Sequence, residues 1–323
     1  MTANAMMTAM PNSPGRFRAA VSVGWALLGL AAVVYARMKS IPAWAALPIA
    51  AAFLIEYPFY LLPGFTPGRL RKPWLLAITC LIPYLVYSIP TGQFTLERCG
   101  ALAVLMGVIC FWYKVLPKNA ATDILFLAVL AGIELTKVFD RIYVSPIPRL
   151  QLSTLGHLML IRTAAVVMVA IRADSGIDYR FLPTAREWLE GLKWFGFLLP
   201  VIIPALWALQ MWKLRPNPNL WLAIPLFCGI LWVVAISEEF FFRGLLQGWI
   251  ERWTKSSVAG LILASVLFGA AHLPVHGFPN WRYSIVAGIL GLFCGLVWRK
   301  TRSIQASMVT HALAATVYRV FFV

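Results

Sequence analysis

The sequence predicts an all-α protein, a polytopic transmembrane bundle of about eleven helices. Composition is the first reason: of 323 residues 61% are hydrophobic and 12% charged, with a mean hydropathy of +0.78, well outside the usage of soluble domains. The second is run length, because the apolar residues fall in stretches near the roughly 20 that carry a helix across a bilayer. The third is what separates those stretches, namely short basic or proline-containing connections. Inside lipid each backbone N–H and C=O must be satisfied within the segment, which selects helix.

In chain order the spans run from about Ala19 to Tyr35, Ala43 to Leu62, Trp74 to Pro90, Gly100 to Leu116, Ala121 to Phe139 and Gln151 to Ile171. They continue with Trp194 to Trp212, Leu220 to Ile250, Ser257 to Leu273, Tyr283 to Trp298 and Ser303 to Phe322. The first follows Arg16 and Arg18 in the manner of a signal peptide, yet it ends at Tyr35-Ala36-Arg37 without a small-residue cleavage site. It reads as a retained helix.

A formal charge of +16 raises the question of nucleic acid, but the 28 Lys and Arg are spread over many short loops with no dense tract. The bilayer is the expected partner, and no nucleic acid is. Orientation accounts for the charge: with the N-terminus cytoplasmic, Arg69, Arg71 and Lys72, and later Arg299, Lys300 and Arg302, lie inside, against Arg141 and Arg149 outside. Short loops without a large soluble domain suit a bacterial cytoplasmic membrane. Cys80, Cys99, Cys110, Cys228 and Cys294 stand singly in or beside apolar spans, without a Cys-x-x-Cys pair, and read as small buried hydrophobes.

The most polar connection, Arg172 to Lys193, divides the chain into an N-terminal transmembrane region, 1–175, and a C-terminal domain, 176–323. Within it Thr184-Ala185-Arg186-Glu187 has capping-box spacing, and Trp188, Leu192 and Phe195 then share a face. That pattern predicts a short interfacial helix leading the second domain.

The chemistry lies in the eighth span, where Glu238, Glu239 and Arg243 stand among aromatic residues. An ionisable side chain at membrane depth is a functional candidate by default, because lipid makes it costly. Glu239 and Arg243 are four apart on one helical face, a supporting ion pair, whereas Glu238 points about 100° away and is left free to act as a base. A purely structural ion-pair network is the alternative for this trio. Two of the chain's four histidines, His272 and His311, follow on later helices. Each alone suits a hydrogen-bonded core role as well as a catalytic one. Depth links them: from the predicted cytoplasmic helix ends Glu238 lies about 18 Å in, His272 about 23 Å and His311 about 12 Å, at 1.5 Å per residue.

These residues resemble the CPBP or ABI family, which includes the type II CAAX prenyl endopeptidases and bacteriocin-processing or immunity proteins. Glu-Glu-x-x-x-Arg is matched at Glu238, Glu239 and Arg243, Phe-x-x-x-His at Phe268 and His272, and the histidine of His-x-x-x-Asn/Asp at His311. Ala315 stands where that last motif has its amide or carboxylate. The resemblance covers about Trp194 to Val323. It implies an intramembrane endopeptidase acting on a membrane-associated protein or peptide, in which Glu238 and His272 activate water and His311 helps to hold the oxyanion. It implies no metal and no cofactor, and Ala315 leaves the oxyanion position departing from the family.

Two other readings use the same region. Glu238, His272 and His311 could form a two-histidine, one-glutamate zinc site with an open water position, although no His-Glu-x-x-His occurs and Pro274 separates His272 from His276. A transporter or interaction protein would employ buried acids such as Glu56 and Glu134. Against it, Glu134 has Lys137 three residues on as a structural partner, and the halves show no inverted repeat.

Overall fold

In the computed structural model the described residues are 14–148, 150–173, 176, 177 and 179–322, so Arg149 and the predicted domain boundary at 175 lie outside them. The described residues form twelve helices and no strand: α1 (Pro14–Met38), α2 (Ala43–Phe65), α3 (Pro73–Ser88), α4 (Leu96–Val115), α5 (Ala120–Leu135), α6 (Val138–Ile142) and α7 (Ser153–Arg172), then α8 (Ala185–Ala208), α9 (Leu220–Thr254), α10 (Ser257–Ala271), α11 (Trp281–Thr301) and α12 (Ile304–Phe321). Seven of these are long and apolar enough to cross a membrane, α1, α2, α4, α7, α8, α9 and α11, while α3 and α10 are shorter apolar helices. The protein is an integral, multi-pass helical bundle.

Two differences from the sequence expectation have local causes. The fifth span is split, because Lys137 takes a left-handed conformation (φ 51°) that ends α5 and lets α6 start afresh. The capping box at Thr184 and Glu187 is present, with the Thr184 side chain accepting from Glu187 N and the Glu187 carboxylate accepting from Thr184 N. It opens no separate interfacial helix, for α8 runs from Ala185 to Ala208 without a break.

The chain divides into two compact units, Met1–Asp174 and Ser175–Val323. The first unit is held by buried charge as well as packing. Arg162 on α7 pairs with Glu56 on α2 and donates to Oγ1 and the carbonyl oxygen of Thr79 on α3, each at 3.0 Å, with both charged side chains fully buried. Asp123 on α5 accepts from Tyr113 at 2.7 Å and from Arg172 at 2.6 and 2.8 Å. The Glu134 carboxylate lies 3.2 Å from His157, and among the described residues it forms no ion pair with Lys137, whose left-handed backbone ends the helix while its N–H still donates to the Glu134 carbonyl oxygen.

In the second unit α9, 35 residues long, packs against α10, α11 and α12, and α8 packs against α11 and α12. Close helix contacts depend on small residues. A Cβ on Gly269 would come within 2.7 Å of the Ser284 carbonyl oxygen, and one on Gly191 within 2.8 Å of that of Ala306, so these glycines let α10 approach α11 and α8 approach α12. At one end Glu187 is bound by Arg180 and Ser303, and Lys300 pairs with Glu190 at 3.0 Å. The helices enclosing the site are thereby tied together.

Candidate active site

Glu238 and Glu239 sit in a single regular turn of α9, Ile236–Glu239, flanked by wider i→i+5 turns at Ile230–Ala235 and Phe240–Gln247. Such π segments recur at functional sites because they re-aim side chains without ending the helix. The two carboxylates part company as helix geometry requires. Glu239 and Arg243 are fully buried, with Arg243 Nε 3.1 Å from Glu239 Oε2, and Arg243 Nη2 donates to the Gly291 carbonyl oxygen on α11 at 2.6 Å. Glu238 keeps 28% of its side chain exposed and faces a cavity.

Both histidines meet Glu238. His272 is the first residue beyond α10, and its Nε2 lies 3.9 Å from Glu238 Oε2; His311, mid-way along α12, places Nε2 at 3.8 Å from the same atom. That oxygen is buried and makes no hydrogen bond to the protein. The far side of each ring is engaged. His272 Nδ1 is 2.8 Å from the carbonyl oxygen of Phe268, which can only accept, so Nδ1 carries the proton and Nε2 of the neutral ring presents a lone pair. His311 Nδ1 is 2.8 Å from Glu239 Oε1 and donates to it in the same way.

Phe268 packs these groups together. Its fully buried ring lies 4.7 Å from the Arg243 guanidinium and 4.7 Å from the His272 ring, and meets His311 edge-on at 5.7 Å. The loop after His272 is fixed by Asn280, which donates from Nδ2 to Val275 O at 3.0 Å and caps α11 by accepting from Tyr283 N at 3.1 Å.

The cavity has a volume of about 230 Å³ and is walled by apolar residues of α8 and α11, among them Leu198, Ile202, Val286 and Leu290. Its polar lining includes Glu238, His272, His311, Tyr283, Tyr318 and Arg319. Ala315, one turn beyond His311, also lines it. Thr310 does not, and its hydroxyl donates to Gly191 O at 2.9 Å; Thr316 lies outside the lining as well.

The zinc reading gains no support from this geometry. Among the described residues, ligating atoms gather within 4.8 Å at Glu239, Cys294 and His311, not at Glu238, His272 and His311. The Glu239 group is fully buried and already carries the Arg243 guanidinium, whose charge opposes a cation there.

Every site residue singled out in the sequence lies in this unit, around one cavity or directly behind it. Two relationships were missed. The bond between Glu239 and His311 spans 72 residues and has no local signature. Arg319 could have been found from its spacing, eight residues beyond His311 on one helix, which returns near the same face.

Residues 218–317 match the family model described as Rce1-like, type II CAAX prenyl endopeptidase. The matched stretch contains Glu238, Glu239, Arg243, His272, His311 and Ala315, and it supports a membrane endopeptidase of the CAAX type in general. No curated protein and no solved structure matches the chain.

Proposed function

We propose that the second unit, whose residues 218–317 match the Rce1-like family, is an intramembrane endopeptidase in which Glu238 and His272 activate water and His311 assists at the oxyanion. One observation carries this reading: a single free carboxylate faces two imidazole Nε2 atoms at 3.9 and 3.8 Å inside an apolar cavity, while its neighbour Glu239 is consumed behind the site. Separations of that size exceed a direct hydrogen bond and suit a bridge through water.

A water between Glu238 and His272 donates one hydrogen to the carboxylate and one to the lone pair on His272 Nε2. Its oxygen lone pairs are then turned toward a peptide carbonyl. As the oxygen attacks, Glu238 takes a proton, and it returns that proton to the departing amine. His311 can donate to the oxyanion from Nε2 only in its doubly protonated form, because Nδ1–H is committed to Glu239. Glu239 and Arg243 are therefore positioning residues. The expected substrate is a membrane-associated protein or peptide, met within the bilayer of a bacterial cytoplasmic membrane, with the N-terminus of the chain in the cytoplasm.

The test is Glu238→Gln, which removes the base while preserving volume. Purified protein in lipid vesicles should cleave a membrane-anchored peptide library, read by mass spectrometry, and the variant should lose cleavage while keeping its thermal unfolding temperature. Cleavage by the folded variant near the wild-type rate would overturn the assignment.

A further inference from the structure

The groups placed around the reacting bond share one property: in their resting forms they accept hydrogen bonds. Glu238 is a carboxylate, and Nε2 of neutral His272 presents a lone pair because Nδ1 holds its proton against the Phe268 carbonyl oxygen. Neutral His311 repeats the pattern, with Nδ1–H given to Glu239. Such a set suits the attacking water, whose hydrogens need acceptors. It offers no neutral donor to the carbonyl oxygen of the substrate, which gathers negative charge as the water adds. Ala315, without a polar side-chain atom, supplies none.

Four other side chains on the cavity wall carry a donor: Trp212, Tyr283, Tyr318 and Arg319. Three of them belong to the far end. Arg319 is exposed and eight residues beyond His311, about 12 Å along the helix axis. Tyr318 stacks on Phe322, whose ring in turn meets Trp212 at 4.7 Å. Tyr283 stands beside the chemistry instead, its ring centroid 5.8 Å from that of His272.

This half-buried ring is held from several sides. Asn280 accepts from Tyr283 N at 3.1 Å, and the ring is flanked by His276, edge-on at 5.8 Å, and by Tyr318 at 6.1 Å. Ser284, the next residue, donates to the Gly269 carbonyl oxygen at 2.8 Å and ties this turn of α11 to α10, the helix that leads to His272. Among the described residues none of these contacts engages the Tyr283 hydroxyl, which is left to the cavity.

We propose that Tyr283 is a catalytic residue whose phenol O–H donates to the carbonyl oxygen of the scissile peptide as that oxygen becomes an anion. The water oxygen bonds to the carbonyl carbon, the π pair moves onto the carbonyl oxygen, and Glu238 takes the proton released. Tyr283 keeps its own proton and stabilises the anion through the hydrogen bond. When the pair returns to re-form the carbonyl, the C–N bond breaks and the amine leaves with the proton held by Glu238. This inference rests on the peptidase reading and adds to it the neutral donor that the histidines do not supply.

Tyr283→Phe deletes the hydroxyl alone and keeps the ring contacts, so the folded protein should keep its unfolding temperature. In lipid vesicles it should cleave membrane-anchored peptides with kcat lowered roughly 100- to 1,000-fold and KM little changed, because the bond is made in the transition state. A second measurement needs no turnover. A membrane-anchored peptide phosphonate, tetrahedral and anionic like the intermediate, should bind wild type roughly 10- to 100-fold more tightly than Tyr283→Phe by fluorescence anisotropy, the range of one charge-assisted hydrogen bond. The parent peptide, measured on Glu238→Gln protein with and without Tyr283→Phe, should bind both alike.

Cleavage by folded Tyr283→Phe near the wild-type rate, or equal phosphonate affinity in the two proteins, overturns the inference and leaves the peptidase reading intact. If wild type cleaves nothing yet binds the phosphonate more tightly through Tyr283, the donor stands and the peptidase reading falls. If neither cleavage nor discrimination is seen, both fall.

Discussion

Nδ1 of His311 donates to Oε1 of Glu239 at 2.8 Å, joining α12 to α9 directly beneath the cavity. Glu239 thus has two tasks, neutralising Arg243 and fixing which nitrogen of His311 carries its proton. The adjacent Glu238 is released from both.

Glu239→Gln is expected to reduce folded yield and activity together. It leaves Arg243 fully buried without its anion, a loss of about 3–5 kcal/mol, and weakens the acceptor that orients His311. Chemical denaturation of the purified variant measures the first effect and peptide cleavage the second. Glu238→Gln should show only the second, so equal destabilisation of the two variants would contradict this division of roles.

Removal of metal should leave the reaction intact. The residues that face the cavity do not gather as a metal site, and those that do gather behind it include Glu239, already paired with a guanidinium. Protein dialysed extensively against a chelator should keep its cleavage rate and contain far less than one zinc per chain by elemental analysis. Activity lost on stripping and restored by zinc would replace the water-activating dyad with a metal centre.

Ala315→Asn should accelerate the enzyme. Position 315 lines the cavity one turn from His311, where an amide would add a donor for the oxyanion, and neither Thr310 nor Thr316 reaches the cavity in its place. Loss of one such donor costs other enzymes roughly 100- to 1,000-fold in turnover, so the gain should be visible as a rise of at least about tenfold in kcat. A variant that folds normally and shows no rise would indicate that the donors already facing the oxyanion, or a group of the substrate, suffice for it.

The sequence by itself determined the membrane class, the helices and the candidate residues, because each of these is a short-range property. Hydrophobic run length decides what can span a bilayer. Spacing of four along α9 decides that Glu239 meets Arg243, and the motif at Phe268 and His272 needs one turn of helix. Local signals misled at one helix end: Glu134 and Lys137 have pairing distance in sequence, yet Lys137 ends the helix in a left-handed conformation and the Glu134 carboxylate meets His157 instead. The capping box likewise marked a helix start correctly without indicating that the helix would continue to Ala208.

Only the tertiary structure decided what the two glutamates meet. Side chains 34 and 73 residues from Glu238 in the chain, His272 and His311, reach it because glycines allow α8, α10, α11 and α12 to approach closely, and no local pattern encodes that approach. The same packing turned Arg319 from one more basic residue near a helix end into a charge on the wall of the cavity. Sequence dictates which residues share a helical face, whereas which faces look at one another follows from the packing of whole helices.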